Sequence, residues 1–257
     1  MSEQPSIDAT RLTTGQYLAH LDADLDATLA AATDLSAPVP GCPEWTVNHL
    51  LSHLVGVYRH KVAAFDMGAS PELKSGSWGD IAKDADVREV LRHEYARLRD
   101  RLGARDADSP AWTWWPAEQT AGFWYRRMAQ ETAVHRWDAE SAVSGPEGAR
   151  PIDADLASDG IDEMLGWLTI PWDDDEQPEA EGHTVAIATD GHAWTVSLHP
   201  TVVFVTSGSA DAQAMLAGPA SALLLRMWGR PGDHGVTAEG DTLALDLLRR
   251  RLAALSS

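Results

Sequence analysis

The chain has 257 residues, room for one large domain or two small ones, and its 44% hydrophobic content is ordinary for a folded protein. Against 20 basic residues stand 39 acidic ones, a net charge of −19. Such a surface disfavours nucleic acid and anionic membrane as partners, since neither polyanion releases counterions to it. No apolar run approaches the ~20 residues that a membrane span needs.

Met1 to Thr10 is polar and lacks an apolar core, so no signal peptide is expected. Thr14 to Thr33 is periodic in Leu18, Leu21, Leu25 and Leu29 and predicts a first helix. Gly41-Cys42-Pro43-Glu44-Trp45-Thr46 reads as a turn leading to an N-cap at Thr46, with a helix from Val47 to about Phe65. Cys42 is the single cysteine, which leaves no internal disulfide and fits a reducing cytoplasm. Gly68 to Gly79 reads as a loop, Val87 to Leu102 as an amphipathic helix, and Asp106 to Pro116 as a Pro/Trp-rich connector. The segment Glu118 to Ser144 has no internal proline and stops at Gly145-Pro146, so it predicts a long last helix. Four helices with connectors fit an antiparallel bundle.

The character changes after Gly145-Pro146-Glu147-Gly148. Asp153 to Leu168 predicts a helix, and Asp173 to Glu176, running on to Glu181, a solvated acidic loop without the ligand spacing of a calcium loop. Strand signals follow at Thr184–Thr189, Trp194–Leu198 and Val202–Thr206. Pro219 fits the first position of a helix that Gly229 ends, and Asp241 to Leu255 predicts a last helix. This half reads as α+β.

Two helices carry chemistry. At roughly 100° per residue, Trp124, Met128, Glu131, Thr132, His135 and Ala139 share one face of the long helix, and Glu131 and His135 sit one turn apart within it. A surface pair at this spacing contributes only a few tenths of a kcal/mol. An ionised carboxylate facing inward instead needs a cation, and either a divalent metal or a buried arginine would serve. On the second helix His49, His53 and His60 lie on one stripe, and spacing alone does not choose among them. Of the 11 tryptophans, Trp112, Trp114, Trp115 and Trp124 cluster just before or at the start of the long helix. They fit interhelical packing or the aromatic wall of a ligand pocket.

The string Val39 to Leu54 (VPGCPEWTVNHLLSHL) resembles the N-terminal signature of the mycothiol-dependent maleylpyruvate isomerase family. Arg127 to Glu140 (RMAQETAVHRWDAE) resembles its second signature, and Gly218 to Arg230 the core of its C-terminal domain. The resemblance implies a DinB-like antiparallel four-helix bundle over residues 1–148 and a smaller α+β domain over residues 149–257. It implies zinc or another divalent metal on His53, Glu131 and His135. It also implies Arg230 as a carboxylate-binding residue, with Arg226 and Arg127 as further candidates. His49 departs from the family, where an acidic residue is common, and a supporting or ligating role stays open for it.

Three protein ligands leave a zinc coordination position open, the pattern of catalytic sites. Such a centre lowers the pKa of a bound water or thiol. The resemblance implies mycothiol as the thiol cosubstrate. Its thiolate adds to the double bond of maleylpyruvate, the resulting single bond rotates, and elimination gives fumarylpyruvate. No glycine-rich dinucleotide fingerprint is present. Asp138, one turn beyond His135, is placed to orient that imidazole or to make a helix-surface salt bridge. The expected protein is therefore a cytoplasmic isomerase or S-transferase, a monomer or homodimer, whose partners are a small thiol and a small electrophile. A metal-dependent hydrolase of thiol conjugates and a non-catalytic metal-binding module are the alternatives.

Overall fold

A computed structural model describes residues 10–71, 78–170, 177–232 and 235–255. The acidic stretch 173–176, loop residues 72–77 and most of the polar N-terminal segment lie outside the described residues. The chain divides into two compact units, Thr13–Arg150 and Pro151–Ser257, the latter together with residues 10–12.

The first unit holds α1 (Thr14–Ala31), β1 (Pro38–Val39), β2 (Cys42–Thr46), α2 (Val47–Met67), α3 (Val87–Gly103) and α4 (Ala121–Ser144). A capping box opens α1: Thr13 Oγ1 accepts the Gln16 N–H, and the Gln16 side chain accepts the Thr13 N–H. Tyr17, Leu21, Leu25 and Leu29 are then buried along one stripe. The four helices form the expected bundle, with α1 packed on α4 and α2 on α3. Polar ties set their register. Arg136 Nε donates to Asp24 at 3.0 Å between α4 and α1, and Arg59 Nε to Glu94 at 3.0 Å between α2 and α3. The Tyr58 and Thr132 hydroxyls meet at 2.7 Å, buried between α2 and α4. A buried hydroxyl without a partner costs ~1–3 kcal/mol, so this pair resists slippage of α2 along α4.

Two local expectations fail. The turn predicted over Gly41 to Thr46 is largely strand, because β2 pairs antiparallel with β1, Pro38 opposite Thr46 and Val39 opposite Cys42. Pro38, Pro40 and Pro43 mask the signal, yet prolines are tolerated in a two-stranded ribbon whose outer edges need no ladder bonds. Helix α4 begins at Ala121, not Glu118. Thr120 is the extended N-cap residue, and Gln119 turns back to the connector, its Nε2 donating to Thr113 O at 3.0 Å and Trp115 O at 2.7 Å.

The second unit holds α5 (Ala154–Leu168), β3 (His183–Ala188), β4 (Ala193–Leu198), β5 (Val203–Ser207), β6 (Ala214–Ala217), α6 (Ala220–Met227), β7 (Thr237–Gly240) and α7 (Thr242–Leu255). Its sheet runs β5-β4-β3-β6-β7. The predicted meander β3-β4-β5 is antiparallel, β6 adds parallel to β3, and β7 adds antiparallel to β6. Strands β6 and β7 were not expected. Ala214-Met215-Leu216-Ala217 consists of strong helix formers, and pairing against β3, whose Val185 and Ile187 are fully buried, overrides that preference. Pro219 is the N-cap of α6 and not its first helical residue. Gly229 follows that helix at φ 69°, a left-handed backbone that suits glycine. Buried Trp194 donates its Nε1–H to Asp162 at 2.9 Å and ties β4 to α5. The fold class is therefore a helical bundle followed by an α+β unit.

Candidate metal centre

Every residue of α4 from Ala121 to Ala139 is buried except Glu131, which is half-buried. The helix is covered on all sides, and Glu131 in its middle faces α2. Facing it from α2 is His53, whose Nε2 lies 2.9 Å from Glu131 Oε1. His135 Nε2, one turn along α4, lies 3.4 Å from the same oxygen. The three ligating atoms lie within 4.8 Å of one another, and among the described residues this is the group of metal-ligating side chains that comes together.

The surroundings explain how a carboxylate persists there. Glu131 uses its other oxygen, Oε2, to accept from Arg127 Nη2 at 3.1 Å. Arg127 is buried and ordinary helical spacing supplies it. The buried arginine that the sequence offered as one alternative thus takes Oε2, while Oε1 faces the two imidazoles. Burial opposes ionisation of Glu131, but the hydrogen bonds to His135 and His53 and the nearby Arg127 prevail and hold the carboxyl well below its usual range. Fully buried Asp138 Oδ2 lies 2.9 Å from His135 Nδ1. With Nδ1–H directed at Asp138, Nε2 is the nitrogen that would offer a lone pair to a cation on losing its own proton. Burial pushes the His135 pKa down, but Asp138 and Glu131 outweigh it and raise the group to about 9. Trp45 packs over both imidazoles, with ring centroids 4.9 Å from His53 and 5.9 Å from His135.

The donor set fits a divalent ion. Two imidazole nitrogens and one carboxylate oxygen are the ligand types of catalytic zinc sites. The 2.9 and 3.4 Å edges are close to the ~3.3 Å spacing of ligands about 2.0–2.1 Å from a shared tetrahedral centre. The residue that sequence spacing could not separate from His53 does something else. His49, at the third position of α2, accepts the Thr46 N–H on its Nδ1 at 3.1 Å, the place a Glu or Gln takes in a capping box.

His53 also lines a cavity with a volume of about 920 Å³. Trp45, His53, Lys61, Trp78, Trp112 and Trp114 are among its walls. The tryptophans divide between the two roles expected of them. Trp112 and Trp114 face the cavity, whereas Trp124 is 1% exposed and donates its Nε1–H to the Trp112 carbonyl at 2.7 Å. The wall carrying Trp78 is pressed onto α2. A Cβ on Gly56 would meet Gly79 N at 3.0 Å, and one on Gly79 would meet Ser52 O at 3.0 Å, so both positions need glycine. Arg59 Nη1 donates to the Trp78 and Asp80 carbonyls at 3.1 and 2.8 Å and holds that wall in place. Lys61 was missed in the sequence. Its signal is the i, i+4, i+8 ridge His53-Val57-Lys61.

Arg230 and Arg226 belong to the second unit and line a different cavity of about 600 Å³, with Leu223, Met227, Leu248 and Leu252. Arg230 Nη1 donates to the Trp228 carbonyl at 2.9 Å.

Residues 18–140 match the family model of the mycothiol maleylpyruvate isomerase N-terminal domain. The first unit therefore contains a domain of the mycothiol maleylpyruvate isomerase N-terminal family. Two crystal structures share its fold across nearly the whole length. The mycothiol-dependent maleylpyruvate isomerase is 14% identical, with a TM-score of 0.61 over 90% of this chain and 95% of that one. A histidine-to-alanine variant of that enzyme is 13% identical, with a TM-score of 0.60 over the same shares. At such identity the likeness speaks for the fold alone. No curated protein sequence matches the chain. No helix among the described residues is long and apolar enough to cross a membrane.

Proposed function

We propose that the chain is a divalent-metal enzyme, with zinc as the first candidate, that uses mycothiol as a small-thiol cosubstrate. It acts as an isomerase or S-transferase on a small electrophile such as maleylpyruvate, in a reducing cytoplasm. The observation that carries this reading is the convergence of His53, Glu131 and His135, with His53 also lining a cavity of about 920 Å³. Bound there, the ion would favour the thiolate form of a thiol at its open position. The protein's own residues do the rest. Asp138 fixes the His135 ring, Arg127 takes the spare oxygen of Glu131, and Trp45 packs against both imidazoles. In this reading residues 1–148 form the metal-binding domain, residues 149–257 the α+β domain, and Arg230 binds a substrate carboxylate.

The test is turnover of maleylpyruvate by zinc-loaded protein with and without mycothiol. Isomerisation that requires both supports the reading. Hydrolysis of a mycothiol conjugate without isomerisation points to a hydrolase. Zinc bound without turnover of any thiol and electrophile pair points to a binding module.

A further inference from the structure

The cavity is lined by the carboxylates Glu44 and Asp80 and by one lysine that, among the described residues, forms an ion pair with neither. Lys61 lies two turns beyond His53 on the same ridge of α2 and lines the same cavity. Its Nζ lies 4.8 Å from the centroid of the buried Trp124 ring and 3.0 Å from His60 Nδ1. Burial, and then the charge of Lys61, keep His60 neutral, with a pKa near 4, so its Nδ1 can accept from the ammonium. Trp78 packs edge-on against His60 at 5.6 Å and completes the support. Among the described residues no carboxylate lies within ion-pair distance of Lys61, although the chain carries 39 acidic residues. The contrast with Arg127, Arg136 and Arg59 is plain, since each of those is paired with a carboxylate in the same helical unit.

We propose that Lys61 is a specificity-determining residue that receives a carboxylate of the electrophilic substrate at the end of the cavity away from the metal cluster. This rests on the reading of His53, Glu131 and His135 as the reactive end. Eight residues of helix separate the Cα atoms of His53 and Lys61 by about 12 Å, and helical side chains lean toward the N-terminus, which brings Lys61 back toward His53. The interval suits an anionic chain of several carbons rather than a compact monoanion. Trp124 and neutral His60 aim the ammonium without neutralising it, so the arriving carboxylate supplies the missing counter-charge in a partly desolvated place. Burial lowers the Lys61 pKa to about 8, with Glu131 opposing and Arg127 adding to the effect, so most of the group is cationic at pH 7.

The experiment is calorimetric titration of zinc-loaded protein at pH 7 with cis,cis-muconate, a six-carbon dicarboxylate, and with its neutral dimethyl ester. Wild type is expected to bind muconate at least 10-fold more tightly than the ester. Lys61→Met is expected to lose about 10-fold or more for muconate, with ester binding, zinc content and thermal midpoint unchanged, and Lys61→Arg to retain most of the preference. The proposal is overturned if Lys61→Met binds muconate as wild type does, or if wild type shows no preference for the dianion. A wild type that holds no zinc sinks the metal reading instead, and the same titrations on that protein still judge Lys61.

Discussion

Two cavities among the described residues are made of opposite materials. The one in the helical unit is lined by tryptophans and by His53, which also belongs to the cluster with Glu131 and His135. The one in the α+β unit is walled by Leu223, Met227, Leu248 and Leu252, and its arginines, Arg226 and Arg230, are exposed or half-exposed. An ion in a protein interior persists only where other groups compensate for lost water. In the first cavity that compensation is built in layers: Arg127 and two imidazoles around Glu131, and Asp138 behind His135. In the second, the buried walls are apolar and the charges lie toward water. Chemistry should therefore be sensitive to single atoms around the first cavity, while substitutions in the buried apolar walls of the second act on stability.

The largest effect that sharpens this contrast is expected in the second cavity. Leu248 is 1% exposed, and Leu248→Ala should cost about 2–5 kcal/mol of stability by chemical denaturation while the zinc content of the folded protein stays unchanged. Loss of zinc on that substitution would mean that the two regions are not separable. Beside the first cavity, Asp138→Asn removes the negative charge that holds His135 Nδ1–H in register. Zinc affinity measured by competition with a chelator should fall about 10–100-fold with little change in fold. A smaller effect concerns pH. In the metal-free protein the His135 pKa is raised from 6.5 to about 9. Its stabilising contribution is complete below pH 6.5 and is lost as pH rises through about 9. Glu131 acts at the other end. Its contribution is present above 4.5 and is lost as pH falls through its lowered value. The thermal midpoint of the metal-free protein should therefore drop by about 2–4 °C between pH 6.5 and 9, and His135→Gln should flatten that slope. The smallest effect is at His49. His49→Ala should cost about 0.5–1 kcal/mol through the lost cap and leave zinc binding intact, which differential scanning calorimetry and metal analysis would separate.

How much was legible in the sequence follows the same division. Helical spacing placed Glu131 and His135 on one turn, and caps and glycines placed the helix ends within a few residues. Spacing could not choose among His49, His53 and His60, because the choice depends on how α2 lies along α4, and that register is set by contacts such as Tyr58 with Thr132. The family resemblance supplied what periodicity could not. Lys61 escaped because a lysine on a helix ordinarily reads as solvated, and only the fold shows it over Trp124. Strands β6 and β7 escaped for a different reason. Four residues are too few for a periodic signal, and β7 is exposed along its whole length, so pairing in the sheet rather than local preference decides their state.

The most direct measurement is the metal content of purified protein after dialysis against zinc and then buffer, read by mass spectrometry for wild type and His53→Ala side by side. Wild type should retain one equivalent of zinc and His53→Ala almost none, with both still folded by circular dichroism. A full equivalent retained by His53→Ala, or none held by wild type, would contradict the assignment of these side chains to a metal centre.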